Sequence, residues 1–222
     1  MKFNHKEITG AIFDLDSTLL DSHDVWSRID RDFLGKRGFP VPDDYVDQIT
    51  PMGFGEAADY TIQRFSLQET KEEVMAEWNR MAHDAYAYDV QLRAGVKDLL
   101  QRMQEEGVRM AVATSNTEEL FVPCLERNGI AHYFEAFTEV KEVLRGKGFP
   151  DIYLRSAEKI GCRPEQCVVF EDLIPAVKAA GSAKFYTVGV CEPAWGYPES
   201  EMRAVSDCYI HEIYEALALI NT

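Results

Sequence analysis

The chain has 222 residues, 46% of them hydrophobic, and its 38 Asp and Glu against 23 Lys and Arg give a formal charge of −15. That length suits one large domain or a main domain with a smaller companion, and that hydrophobic share supports a folded core rather than a disordered chain. The acidity speaks against a nucleic-acid surface and against electrostatic docking on an anionic membrane, both of which need clustered Lys and Arg.

Residues 1–7 contain no continuous apolar stretch of the signal-peptide kind, and no run approaches the roughly 18 apolar residues of a membrane span, so a cytoplasmic protein is expected. Ala11–Phe13 opens a series of short apolar runs that hardly alternate, the pattern of strands covered on both faces. Between 21 and 91 the rhythm changes. Trp26, Ile29, Phe33 and Leu34 mark one amphipathic helix, Phe54, Ala58, Ile62 and Phe65 a second, and Val74, Trp78, Met81 and Tyr88 a third. Pro40, Pro42, Pro51 and Gly53 punctuate the joins. The charge run Glu69–Glu73 reads as a solvated face, and the Trp and Tyr residues as the core of this block.

Val96, Leu99, Leu100 and Met103 then share a helix face, followed by an apolar run over 108–113. Asn116 with Glu119 has the spacing of a capping box, and Pro123 predicts a bend in the helix that follows. Ile152, Tyr153, Ala157 and Ile160 mark another helix, and further strands are expected at 167–170, 185–190 and 208–210. The loop 191–198 has too many turn formers for a strand, and Trp195 and Tyr197 are expected to pack it down. Strand–helix alternation predicts an α/β protein, a Rossmann-like parallel sheet flanked by helices. Residues 1–20 and 92–222 would form this discontinuous core and 21–91 an inserted helical cap domain. The five cysteines are scattered, with neither a Cys-x-x-Cys pair nor zinc-ligand spacing, and read as reduced thiols.

Ligands of an open parallel sheet gather beyond the carboxyl ends of its strands. The first strand ends in Asp14-Leu15-Asp16-Ser17-Thr18, the second in Thr114-Ser115-Asn116 and a later one in Glu171-Asp172, while Lys147 stands just before a core helix. Carboxylates without Cys or His partners suit a hard cation such as Mg²⁺, completed by substrate phosphate. Hydroxyl and backbone N–H donors at 114–116, helped by a helix N-terminus, suit phosphate oxygens. Each piece alone also has an ordinary structural use. Asp-x-Asp occurs in turns, Glu171-Asp172 could complement a helix dipole, Thr114–Asn116 could cap a helix, and a lone Lys is commonly solvated. The joint order, one piece per strand end or helix start, favours a site.

That order resembles the haloacid dehalogenase-like hydrolase superfamily, in its phosphatase and β-phosphoglucomutase-like branch. The matching segments are Phe13–Ser22, Ala113–Asn116, Gly146–Tyr153 and Val168–Asp172 continuing through Ala179-Ala180. The resemblance implies that Asp14 is a nucleophile forming an aspartyl-phosphate and that Asp16 is the acid, then the base. It also implies Mg²⁺ held by Asp14, the main-chain carbonyl of Asp16, Asp172 and Glu171, with Thr114 and Lys147, alongside Ser115 and Asn116, holding the phosphoryl group. The substrate implied is a small phosphorylated metabolite, a sugar phosphate being one class, with no nucleic-acid or membrane partner and a monomer or weak homodimer as the working state.

Several residues depart from the family pattern: Ser17 and Ala176 stand where Gly is usual, Leu173 where Ser is usual, and Gly148 where Pro often follows the Lys. In β-phosphoglucomutase-like members a His lies several residues beyond the first motif and a cap Arg holds a second phosphate. Those positions hold Trp26 and Glu56 here, so a phosphatase is preferred over a mutase. A phosphonate hydrolase would need a cap Lys, for which Lys36 and Lys71 qualify by type alone. His23, Trp26, Met52 and Phe54 are the residues expected to choose the substrate. A non-catalytic binding protein of the same fold is the alternative of another class.

Overall fold

The computed structural model describes residues 1–49, 52 and 54–221. Short strands β1 (Lys2–Phe3) and β2 (Lys6–Glu7) precede β3 (Gly10–Phe13) and β4 (Leu20–Asp21). Helices α1 (Val25–Gly35), α2 (Tyr45–Ile49), α3 (Phe54–Phe65) and α4 (Lys71–Asp84) follow, and a π-helical turn over Ala85–Asp89 continues the last. The chain returns through β5 (Gln91–Leu92), α5 (Val96–Glu105), β6 (Arg109–Thr114), α6 (Glu118–Arg127) and β7 (Ala136–Glu139). It ends with α7 (Asp151–Lys159), β8 (Cys167–Glu171), α8 (Ile174–Ser182), β9 (Tyr186–Val190), α9 (Glu199–Val205), β10 (Cys208–Ile210) and β11 (Ile220–Asn221).

The central sheet is six-stranded and parallel, in the order β10-β9-β8-β3-β6-β7. Its inner strands β3, β6, β8 and β9 are largely apolar on both faces because helices cover both. Ile12, Ala111 and Val169 pack against Ile152, Tyr153 and Ala157 of α7, and Phe13 and Phe170 on neighbouring strands stack at 4.8 Å. β3 lies between β6 and β8, where the winding reverses, so the carboxyl ends of these three strands border the crevice in which such sheets bind ligands. The chain divides into two compact units, Met1–Ser22 with Val90–Thr222 and His23–Asp89.

The helical unit has its own core. Phe33 meets the buried Trp78 edge-on at 5.4 Å, and Tyr45 OH lies 2.7 Å from Thr61 Oγ1. The charge run is tied down rather than merely solvated: Glu69 accepts from Arg37 at 2.8 Å, and Thr70 with Glu73 forms a reciprocal capping box on α4. Trp78, Tyr45 and Tyr86 are buried as core residues, whereas Trp26 is 46% exposed and Tyr88 71% exposed. The expected joint at Pro51 and Gly53 lies outside the described residues.

Other local expectations need correction. The edge strand β7 escapes notice because Ala136 and Phe137 are only half-buried, so its apolar signal is short. The three-stranded sheet β11-β1-β2, the pair β4-β5 and the single-turn helix α2 were likewise too brief to leave a pattern. Asn116 does not cap α6; the N-cap is Thr117. Pro123 lies inside that helix, which runs on to Arg127. Pro removes one ladder hydrogen bond, and burial of Phe121, Cys124 and Leu125 on one face outweighs that loss. Among the described residues no helix is long and apolar enough to cross a membrane.

Candidate active site

The Asp14 amide donates to the Phe170 carbonyl at 3.1 Å, which carries the β3–β8 pairing one residue past the end of β3. Its carboxylate is buried and receives the Lys147 ammonium on Oδ1. Lys147 sits in a turn closed by the Phe149 amide on the Gly146 carbonyl at 3.0 Å, directly before α7. Its Nζ also donates to Glu171 Oε1 at 2.6 Å, and Tyr153 OH donates to the same oxygen at 2.7 Å. Glu171 ends β8 fully buried, and its other oxygen, Oε2, has no hydrogen-bond partner among the described residues. Next to it, Asp172 Oδ2 accepts from the indole N–H of Trp195 at 2.6 Å.

One carboxylate oxygen from each of Asp14, Glu171 and Asp172 lies within 4.8 Å of the others. Two of these three buried carboxylates, Asp14 and Glu171, pair with the one ammonium of Lys147, and the proton equilibria register the excess of negative charge. Burial pushes Glu171 up to about 7, with Asp14 adding repulsion and Lys147 opposing it. Burial, then Asp14 and Glu171, also hold Asp172 well above the usual carboxylate range. Burial alone would lower Lys147, but the two carboxylates outweigh it and raise its affinity for the proton. An all-oxygen donor set with an unpartnered, buried Glu171 Oε2 fits a hard divalent cation.

Asp16 is half-buried beside this cluster. Its Oδ1 accepts from Ser22 Oγ at 2.8 Å and its Oδ2 from the Asn116 side-chain amide at 3.2 Å. Ser17 takes φ +64°, the left-handed region, at the position where the family usually has Gly. Arg93, at the return from the helical unit, donates to the Ser17 carbonyl at 2.5 Å. Thr114, buried at the end of β6, accepts the Asn116 amide on Oγ1 at 3.0 Å, which leaves its hydroxyl hydrogen to donate elsewhere. Ser115 is exposed next to it.

Of the cap candidates, His23 is exposed ahead of α1, Met52 is half-buried, and the Trp26 and Phe54 rings meet edge-on at 6.1 Å. Glu56 is exposed. Lys36 pairs with Glu77 at 3.3 Å and Lys71 with Asp59 at 2.6 Å, as surface charges do. Sequence reasoning missed three polar supports of the site: Tyr153, whose spacing marked only a core face, Arg93, which carries no motif, and Trp195. The last was expected to pack its loop down; instead its indole is 45% exposed and bonded to Asp172.

Residues 11–190 match the family model of the haloacid dehalogenase-like hydrolases. The chain belongs to this family. It is 29% identical over 189 residues to hexitol phosphatase A of Escherichia coli (strain K12), an alignment covering 83% of this chain and 84% of that protein. It is 25% identical over 181 residues to the phosphorylated carbohydrates phosphatase of Thermotoga maritima, covering 80% and 84%. CbbY from Rhodobacter sphaeroides, solved in complex with phosphate, shares the fold with a TM-score of 0.75 at 22% identity, covering 97% of this chain and 100% of that one. The haloacid dehalogenase-like fold expected from the four motifs is the one found.

Proposed function

We propose that this haloacid dehalogenase-like hydrolase is a Mg²⁺-dependent phosphatase that hydrolyses a small phosphorylated metabolite, with sugar phosphates the leading class. The observation that carries the reading is the buried convergence of Asp14, Lys147, Glu171 and Asp172 at the carboxyl edge of the sheet, with Asp16 held beside it. The phosphatase relatives add chemical support.

In this reading an Asp14 carboxylate oxygen attacks phosphorus, the bond to the ester oxygen breaks, and Asp16 gives that oxygen its proton. Asp16 then takes a proton from the water that cleaves the aspartyl-phosphate. Ser22 and Asn116 hold its two oxygens, so the carboxyl can turn from acid to base without losing its place. Thr114 and Ser115 offer donors to the phosphoryl oxygens. Asn116 is already engaged with Thr114 and Asp16, so its part is positioning. Lys147 offsets the negative charge of Asp14 and Glu171 as phosphate approaches. Mg²⁺, held by Asp14, Asp172, Glu171 and the main-chain carbonyl of Asp16, would screen the anionic nucleophile from the anionic substrate. The His23–Asp89 unit is proposed as the substrate-selecting cap, through His23, Trp26, Met52 and Phe54. A cytoplasmic protein acting as a monomer or weak homodimer completes the proposal.

Inorganic phosphate release from a broad panel of phosphate esters with Mg²⁺ tests the reading. At least one ester should turn over, and Asp14→Asn should abolish turnover with the fold retained. If no ester reacts and no aspartyl-phosphate can be trapped, the protein is a binding module. If an isomerised sugar phosphate accumulates without net phosphate release, it is a mutase.

A further inference from the structure

We propose that Trp195 is a positioning residue for Asp172, fixing that carboxylate in the geometry that receives the cation. The inference rests on the Mg²⁺-dependent reading above and deepens it.

The indole N–H is a single donor, and it is spent on Asp172 Oδ2 at 2.6 Å. Asp172 is buried beside two more carboxylates, so like-charge repulsion works to turn it out of the cluster. A donor is needed to hold it, and the kind of donor matters. A second Lys or Arg would neutralise the cluster and compete with a divalent cation for the same charge. The indole is neutral, so it orients one oxygen and leaves the full negative charge to the cation. An indole left 45% exposed is not placed there mainly to be buried; the hydrogen bond accounts for its position better than packing does.

The segment that carries Trp195 is itself over-determined. Pro193 opens a single 3-10 turn over Pro193–Trp195, the Glu192 carboxylate caps it by accepting the Ala194 amide at 3.0 Å, and Gly196 closes it at φ +64°. Its near end is anchored by Arg93, which donates to the Cys191 carbonyl at 3.0 Å and lies 3.9 Å from Glu192. The same guanidinium holds the Ser17 carbonyl in the turn after the nucleophile. Trp195 therefore presents its N–H from a rigid mount, as an outer-shell donor must if it is to set the angle of a ligand.

The test is a calorimetric titration of Mg²⁺ alone into the parent protein, Trp195→Phe and Trp195→His, each first shown to keep the parent melting profile. Loss of an outer-shell partner of a metal ligand weakens binding about 10–100-fold. That loss is expected for Trp195→Phe, with kcat largely restored at saturating Mg²⁺ and with the Mg²⁺-dependent change in tryptophan emission lost. Trp195→His, which keeps a ring N–H, should regain a substantial part of the affinity. If the parent binds Mg²⁺ and Trp195→Phe binds it equally well or better, the positioning role is wrong while the phosphatase reading stands. If the parent binds no Mg²⁺ and releases no phosphate from the ester panel, both fall together.

Discussion

The Lys147 ammonium stands 2.6 Å from Glu171 Oε1 and also reaches Asp14 Oδ1, so one buried cation joins the carboxylates that end β3 and β8. Position 147 is 133 residues from 14 and 24 from 171, and only the sheet brings the three together.

Removing that cation should hurt both stability and turnover. Breaking a buried ion pair from one side costs about 3–5 kcal/mol, because the partner charge is stranded. Lys147→Met should lose stability of that order in chemical denaturation at pH 8, and at least about a hundredfold in turnover, as loss of a preorganised charge commonly does. At pH 5 the stability loss should shrink, since Glu171, already raised to about 7 with Lys147 present, is then protonated. A variant equally destabilised at both pH values would show that charge compensation is not the reason.

Asp16 can be separated from Asp14 by choice of leaving group. Asp16→Asn should lower turnover of alkyl phosphates by roughly 10²–10⁴-fold, the usual worth of general acid catalysis. With p-nitrophenyl phosphate, whose leaving group needs no proton, formation of the aspartyl-phosphate should fall much less. Burst kinetics would read that step directly. Equal losses for both esters would deny Asp16 the role of acid.

Arg93 links three carbonyls, of Ser17 at 2.5 Å, Cys191 at 3.0 Å and His211 at 3.2 Å. Hydrogen bonds to charged groups contribute about 1.5–3 kcal/mol each, not additively, so Arg93→Met should cost about 2–4 kcal/mol in denaturation. It should lower kcat as well, because the left-handed turn at Ser17 loses its anchor. A melting curve matching the parent would rule this out.

Asp30 offers a pH test inside the helical unit. It is buried on α1, and burial raises its carboxyl from 3.8 to about 6. A carboxyl raised in the folded state favours folding only while protonated. The penalty is therefore absent below about pH 4, grows between pH 4 and 6, and is complete above that. At about 1.4 kcal/mol per tenfold change in proton affinity, Asp30→Asn should gain roughly 1–3 kcal/mol at pH 7 and nothing at pH 4. Melting temperatures of the two proteins across that range would check it, and a gain independent of pH would point to another cause.

Much of this was legible in the residues themselves. The runs at 11–13, 108–113 and 167–170 read as buried strands because both faces of a parallel sheet select apolar side chains, and that requirement is local. The polar residues that follow them, Asp14, Asp16, Thr114, Glu171 and Asp172, were legible for the same reason, as departures from an apolar run at strand ends. Edge strand β7 was not, since a half-covered strand has no such constraint.

By itself, then, the sequence determined the alternation of elements, the polar strand ends and the family they resemble. Tertiary structure alone decided which polar groups gather around those strand ends. Asn116 could have capped its own helix, yet its amide reaches Asp16, 100 residues away. Trp195 could have packed its loop, yet it holds Asp172. A side-chain donor takes whichever acceptor the folded loops bring within about 3 Å, and that convergence is a property of the sheet edge, not of any segment alone.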